Sequence, residues 1–440
     1  MKKILILFLV LLQSQIGISQ NFDRQKMDSL FEAIHQKNKA MLSISLSKND
    51  QEIYQKSIGF ASIENKQKAN KNTIYRVGSI SKTFTVTIIL QLIEENKLSL
   101  DTKLANFYPK MPNASKITIK QLLNHHSGLF NFTDKDNYLA ISKKAKTKKE
   151  ILKIIKKNGS VFEPGTKGEY SNTNYLLLTF IAEDISKKPF KELLEQRIFT
   201  PLKLERTRYQ GAINTTNNEA KSYKPNGKKW VAEGETHLSI PLGAGAIVST
   251  PTDLAHFYTE LFEGELLKPG SLEKMQTVED GYGLGLFKFP FYEKSSYGHS
   301  GGIDGFSSMA AYFPKENLAF SIVSNGTSIS LNDVVIGVLS IYFGKDYKIP
   351  EYKEAIKIDP RVLQKYVGTY GSNNFPLDLT FNVHEEILYC QATGQQEFPL
   401  TPVSKTVFEF SPAKLRIDFF PNENKLLFNQ NGMQSELKQK

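Results

Sequence analysis

The stretch Thr73–Glu95, TIYRVGSISKTFTVTIILQLIEE, changes texture at its glycine. Thr73 to Val77 reads as a short strand. From Ser81 to Glu95 the pattern is helical and strongly apolar. Ser79 stands at the junction, and Lys82 follows three positions later. On a helix, residues three apart share a face. A serine hydroxyl is a poor nucleophile until a base takes its proton. A lysine serves as that base if burial lowers its pKa. A helix N-terminus also directs backbone N–H groups and positive potential at a reacting carbonyl.

The pattern Ser-x-x-Lys is weak alone, because it recurs at Ser45, Ser271, Ser411 and Ser435. Context separates them. Ser45 and Lys48 lie on an apparent strand, where residues three apart point to opposite faces. Ser271 opens a polar segment, Ser411 precedes a proline in a β-rich region, and Ser435 falls in the terminal tail. Only Ser79 joins a strand to a helix apolar enough to bury a lysine.

Outward from this junction, Met41 to Ile58 alternates as a strand pair around Lys48-Asn49-Asp50. Downstream lies a mixed region with capped helices. Thr118 with Gln121 starts one, and Thr250, Pro251 and Asp253 start another. After Gly281 strands return, at Gly283–Phe289, Ser307–Phe313 and Leu318–Ser324. Strands at both ends with helices between predict an α/β fold. One antiparallel sheet, built from both termini of the domain, is sandwiched by helices. A lysine- and proline-bearing linker spans about 344–360. Beyond it Leu377, Leu379, Phe381 and Val383 alternate, as do Leu415, Ile417 and Phe419. This predicts a small all-β barrel or sandwich.

Further candidate residues follow. Tyr170-Ser171-Asn172 comes after the turn Glu163-Pro164-Gly165. A tyrosine hydroxyl can relay a proton, and an asparagine amide can hold a carbonyl. Ser171 or Asn172 would equally cap the helix Tyr175–Ile185. His-x-Gly occurs at His126-Ser127-Gly128 and at His299-Ser300-Gly301. The second leads into Gly302, where glycines let a strand edge approach a substrate. An N–H from Gly302 would complete an oxyanion hole with that of Ser79. His299 would hydrogen-bond the tyrosine or a substrate group. The first copy, with His125, reads as a helix-terminating loop. No spaced third ligand accompanies these histidines, so neither a metal site nor a cofactor is expected. There is no Gly-x-Ser-x-Gly elbow and no phosphate-binding glycine loop.

The chain has 440 residues, a net charge of +11 and one cysteine. An intrachain disulfide is thereby excluded, and Cys390, on an alternating stretch, reads as a core residue. Lys2, Lys3, the apolar run Ile4–Leu12 and the small residues Gly17 and Ser19 read as a secretory signal over 1–19. The expected location is periplasmic or extracellular, with no transmembrane segment after signal removal. The densest lysine cluster, Lys143 to Lys157, carries a capping box at Thr147 and Glu150 and an apolar stripe. It reads as an amphipathic helix with a solvated face. No nucleic-acid reader motif accompanies it.

The ordered motifs Tyr75-Arg76-Val77-Gly78-Ser79-Ile80-Ser81-Lys82, Tyr170-Ser171-Asn172 and Gly298-His299-Ser300-Gly301-Gly302 resemble the serine β-lactamase and penicillin-binding-protein superfamily. Leu122–Leu129 and Phe162–Gly165 support the match. The resemblance covers about 28–342, and its nearest branch is that of class C β-lactamases, D-aminopeptidases and related esterases. It implies a β-lactamase/transpeptidase-like fold with a helical subdomain. It implies Ser79 as the acylated residue, Lys82 as base and Tyr170 as proton-transfer partner. Asn172, His299, Gly301 and Gly302 would bind substrate. The expected domains are a hydrolase over 20–345 and a lipocalin-like barrel over 360–440. The sequence departs from the family at His299, where class C enzymes and DD-peptidases usually carry lysine. A neutral histidine suits a substrate carboxylate less well. The leading expectation is therefore hydrolysis of an ester or peptide-like amide, on a small-molecule or peptide substrate that includes cell-wall peptides. The alternatives are a β-lactamase or D-Ala-D-Ala carboxypeptidase, and a non-catalytic binding protein that keeps the fold.

Overall fold

The computed structural model describes residues 22–440, apart from 136, 210, 227, 228, 353–355 and 396. The signal peptide expected over 1–19 lies outside the described residues. Among these residues no helix is long and apolar enough to cross a membrane.

The central sheet has six antiparallel strands: β1 (Ala40–Lys48), β2 (Gln51–Ile58), β3 (Phe287–Phe291), β4 (Lys294–Ile303), β5 (Phe306–Phe313) and β6 (Leu318–Thr327). Their order is β3-β4-β5-β6-β1-β2, so both ends of the domain do meet in one sheet. Alternation along each strand divides the core. From β5, Met309, Ala311 and Phe313 join the cluster formed with α1 (Arg24–Gln36). Ala310 and Tyr312 point the other way, into the cluster of α2 (Ser81–Glu94), α3 (Asn172–Ser186) and α4 (Pro251–Glu263). A last helix, α5 (Leu331–Tyr342), covers the α1 face. α2 is buried around nearly its whole circumference, and Phe84 stacks on Phe257 of α4 with centroids 3.7 Å apart.

The sequence reading needs correction at three places. β4 was expected only as a strand edge at its glycines and runs over Lys294–Ile303, although its serines and glycines have low β propensity. Pairing with β3 on one side and β5 on the other holds it. Gly283–Leu286 was expected in a strand and is a bend instead, across which Gly283 N–H donates to Leu286 O at 2.9 Å. Ser435, read in the terminal tail, lies on the final strand. The lysine-rich helix is present at Lys148–Asn158, with its Thr147–Glu150 capping box formed.

The C-terminal part holds nine strands: β7 (Gly368–Ser372), β8 (Phe375–His384), β9 (Ile387–Ala392), β10 (Phe398–Pro399), β11 (Thr401–Pro402), β12 (Val407–Phe410), β13 (Leu415–Phe420), β14 (Lys425–Gln430) and β15 (Met433–Gln439). Their order is β10-β9-β8-β7-β15-β14-β13-β12-β11. The two end strands are consecutive in sequence, separated only by Leu400. The sheet therefore curls into a nearly closed barrel around Phe381, Phe408, Ile417 and Leu437. Cys390 is buried in this core, where burial pushes its thiol up to about 12.

Candidate active site

Ser79 sits on the single 3₁₀ turn Gly78–Ile80, which runs directly into α2. Gly78 makes the turn with a φ of 52°. A Cβ there would lie 2.8 Å from the backbone nitrogen of Gly302, so the turn and β4 touch backbone to backbone. Gly301 is packed more tightly still. An added Cβ would approach Val77 O to 2.1 Å, Ser308 Oγ to 2.4 Å and Ser79 N to 3.0 Å. Ser79 and Gly302 thus share one wall of the site.

Lys82, the second residue of α2, is fully buried. Its Nζ lies 3.0 Å from Ser79 Oγ, 2.8 Å from Asn172 Oδ1 and 2.8 Å from the carbonyl oxygen of Ala244. Burial holds its pKa well below the usual lysine range. A neutral amine has two N–H donors and one lone pair. Its two protons match the Asn172 and Ala244 oxygens, which leaves the lone pair for the Ser79 hydroxyl. Asn172 is held in turn: its N–H donates to Asn131 Oδ1 at 2.9 Å and its Nδ2 to Thr133 Oγ1 at 3.2 Å.

Tyr170 donates its phenol to Ser79 Oγ at 2.8 Å. Burial raises its pKa, so the phenol stays protonated at neutral pH. Its ring lies 4.9 Å from Lys82 Nζ. On its other contacts stand two imidazoles. The His125 ring is 4.5 Å from the Tyr170 ring, and the His299 ring is 6.3 Å away. Burial keeps both histidines neutral, with His299 lowered to about 3.

The structure thus brings Ser79, Lys82, Tyr170 and Asn172 together within hydrogen-bond reach. His299 Nδ1–H donates to Ser300 O at 2.5 Å, and its ring packs against Phe287 at 4.7 Å. It is 2% exposed, and its ring centroid lies 6.3 Å from that of Tyr170. A cleft of about 610 Å³ opens in front of Ser79. Asn172, Ala244, Gly302, Tyr138, Glu235 and Asp304 are among its lining residues. Buried Arg76 binds Glu235 and Asp304 at 2.7 and 2.5 Å beside it.

Two participants had no usable signal in the sequence reading. The Ala244 carbonyl is a backbone group and carries no side-chain signature. His125 was read as a loop residue. It does end the helix Ile119–Leu123, but its side chain reaches Tyr170. Ser171 occupies the N-cap position of α3 without a side-chain cap bond, and its N–H donates to His125 Nδ1 at 3.1 Å instead. Outside the site, Asp50, His256 and Glu260 cluster with ligand atoms within 4.8 Å. Both ring nitrogens of His256 are already engaged, by Asp50 Oδ1 and by Leu202 O.

Comparison with known proteins gives the family of the chain. A family model described as Beta-lactamase matches residues 27–333. Penicillin-binding protein 4* of Bacillus subtilis (strain 168) is 26% identical over 434 residues, covering 91% of this chain and 94% of that protein. Teichoic acid D-alanine hydrolase of Staphylococcus aureus (strain MRSA252) is 26% identical over 250 residues, covering 57% of this chain and 59% of that protein. The crystal structure of a D-stereospecific amidohydrolase from Streptomyces sp. matches with a TM-score of 0.65 and 26% identity, over 74% of this chain and all of that one. The matched span carries both the six-stranded sheet and the site around Ser79, and the chain belongs to the Beta-lactamase family of serine hydrolases.

Proposed function

We propose that this protein hydrolyses the ester or amide bond of a D-aminoacyl group through an acyl-enzyme on Ser79. The observation that carries the reading is the buried Lys82 amine 3.0 Å from Ser79 Oγ, with the Tyr170 phenol 2.8 Å from the same oxygen. Because Tyr170 donates to Ser79 Oγ, the serine's own proton is directed to the Lys82 lone pair. Attack on the carbonyl then moves that proton to Lys82. The backbone N–H groups of Ser79 and Gly302 stabilise the oxyanion. Tyr170 passes a proton to the departing alcohol or amine and recovers one from Lys82. Water repeats the sequence on the acyl-enzyme, releasing the acid and regenerating Ser79.

The substrate class rests on charge. A D-aminoacyl group carries an ammonium and needs no cation to receive it. Where lysine would meet a substrate carboxylate, this chain has buried, neutral His299. Of the cations at the cleft, buried Arg76 is committed to Glu235 and Asp304 and Lys224 to Glu233, at 3.1 Å, and Lys143 is the further lysine among the lining residues. The names of two relatives, a D-alanine hydrolase and a D-stereospecific amidohydrolase, point the same way. The amino-terminal signal pattern supports action outside the cytoplasm, in the periplasm or beyond the cell.

A panel of D-alanine esters, D-aminoacyl amides, their L-counterparts and a chromogenic cephalosporin tests the proposal. Turnover should be greatest on the D-aminoacyl compounds. Intact mass should show the acyl adduct on the wild type and none on Ser79→Ala. A dominant preference for the cephalosporin would replace this reading with a β-lactamase.

A further inference from the structure

We infer that His125 is a positioning residue for Tyr170: it grips the peptide on both sides of that tyrosine, and the ring between them. The inference rests on the proposed role of Tyr170 at Ser79. The His125 carbonyl accepts the N–H of Glu169 at 2.9 Å. Its Nδ1 accepts the N–H of Ser171 at 3.1 Å, with Asn174 Nδ2 at 3.4 Å. Between these two anchors the imidazole lies 4.5 Å from the Tyr170 ring, at 32° to it. Tyr175 and Tyr282 close around the imidazole at 5.3 and 5.1 Å.

A residue that only ended a helix would need a left-handed backbone and nothing more. His125 has that backbone, with a φ of 62°, where glycine or asparagine is the easier choice. What the helix end does not require is a buried ring nitrogen that accepts a hydrogen bond. That acceptor fixes the chemistry of the residue. Nδ1 must be unprotonated toward Ser171, so the ring proton sits on Nε2. A carbon-only side chain would strand the Ser171 N–H and release the peptide that carries the phenol. Displacing a reacting group by about 1 Å costs on the order of 100-fold in rate.

The test uses the full chain and a fluorophosphonate, with labelling of Ser79 followed by intact mass. His125→Gly removes the imidazole and keeps the backbone conformation unstrained. Its maximal labelling rate should fall by about 10- to 100-fold while the half-saturating reagent concentration stays unchanged. His125→Asn offers an oxygen near the position of Nδ1 and should recover most of the rate. In a Tyr170→Phe background, His125→Gly should cost no more than about two-fold, because its effect runs through the phenol. Should the glycine variant not fold, His125→Ala, which also lacks the acceptor and the ring, makes the same comparison with and without Tyr170→Phe.

Labelling of His125→Gly within two-fold of wild type, or full additivity with Tyr170→Phe, would overturn the role of His125 and leave the proposed function standing. A folded wild type that takes no label at Ser79 would overturn the proposed function, and the role of His125 with it.

Discussion

Asn172 Oδ1 accepts a hydrogen bond from Lys82 Nζ at 2.8 Å. A neutral amide there leaves the buried amine free to lose its charge. Asn172→Asp would put a carboxylate at the same place. An opposite charge at this distance favours the ammonium and raises the Lys82 pKa, by about 1–3 pH units. The base must be unprotonated to act, so the acid limb of kcat/KM should move to higher pH by a similar amount. Activity at neutral pH should fall and partly return in alkaline buffer. A pH–rate profile identical to wild type would contradict the assignment of Lys82 as base.

His299 gives stability a pH dependence. Burial lowers its imidazole to about 3, against 6.5 for an exposed histidine. Between those values the unfolded chain binds a proton that the folded chain refuses. Stability from this group is therefore intact above pH 6.5 and is lost as pH falls, by up to about 1.4 kcal/mol per pH unit. His299→Gln does not titrate, so its urea midpoint should decline less than that of wild type between pH 7 and 5.

Arg76 and Asp304 form an ion pair in which the side chains are 2% and 9% exposed. Thr236 donates to the same carboxylate from its backbone N–H and its hydroxyl, at 2.9 and 2.6 Å. Removing only the cation strands a buried charge, so Arg76→Met should destabilise the protein by about 3–5 kcal/mol in urea unfolding. Arg76→Met combined with Asp304→Asn should recover a large part of that loss. Equal losses for the single and double variants would show that packing, not charge, explains the effect.

The barrel touches the hydrolase part through pairs such as Lys414–Asp333, at 2.8 Å, and Asn226–Glu385, at 3.3 Å. Such exposed contacts contribute little. Tyr347, Ile349 and Tyr352 pack on the hydrolase core before the barrel begins. A chain ending after Tyr352 should therefore fold and label at Ser79 with fluorophosphonate. A monodisperse truncated chain that takes no label would show that the barrel completes the site.

Legibility in the sequence followed the physical reach of each signal. Ser79 and Lys82 are three residues apart, so helical geometry alone brought them together. The capping boxes at Thr118 and Thr147 were readable for the same reason, since each is closed within four residues. β4 was readable only as a strand edge at its glycines. Its Gly298–Gly302 segment has no strand-forming side chains, and pairing with the adjoining strands β3 and β5 holds it in place. The bond from Lys82 to Ala244 spans 162 positions and ends on a backbone oxygen. His125 illustrates the opposite difficulty. Its local context explained it well enough as a helix stop to hide the contact with Tyr170.

The strand order of the two sheets bears on self-association. A bare strand edge invites another chain to add to it. In the barrel the end strands β10 and β11 adjoin at Leu400, which leaves little room for an added strand. The six-stranded sheet does end, at β2 and at β3, and its rims differ from its centre. β2 carries exposed Gln51 and Glu52 along with Lys56, while β3 carries exposed Lys288 and Pro290. Charge and proline at these rims disfavour intermolecular pairing. Substituting Lys288 and Pro290 with valine should leave the catalytic centre intact and make the protein prone to aggregate as its concentration rises.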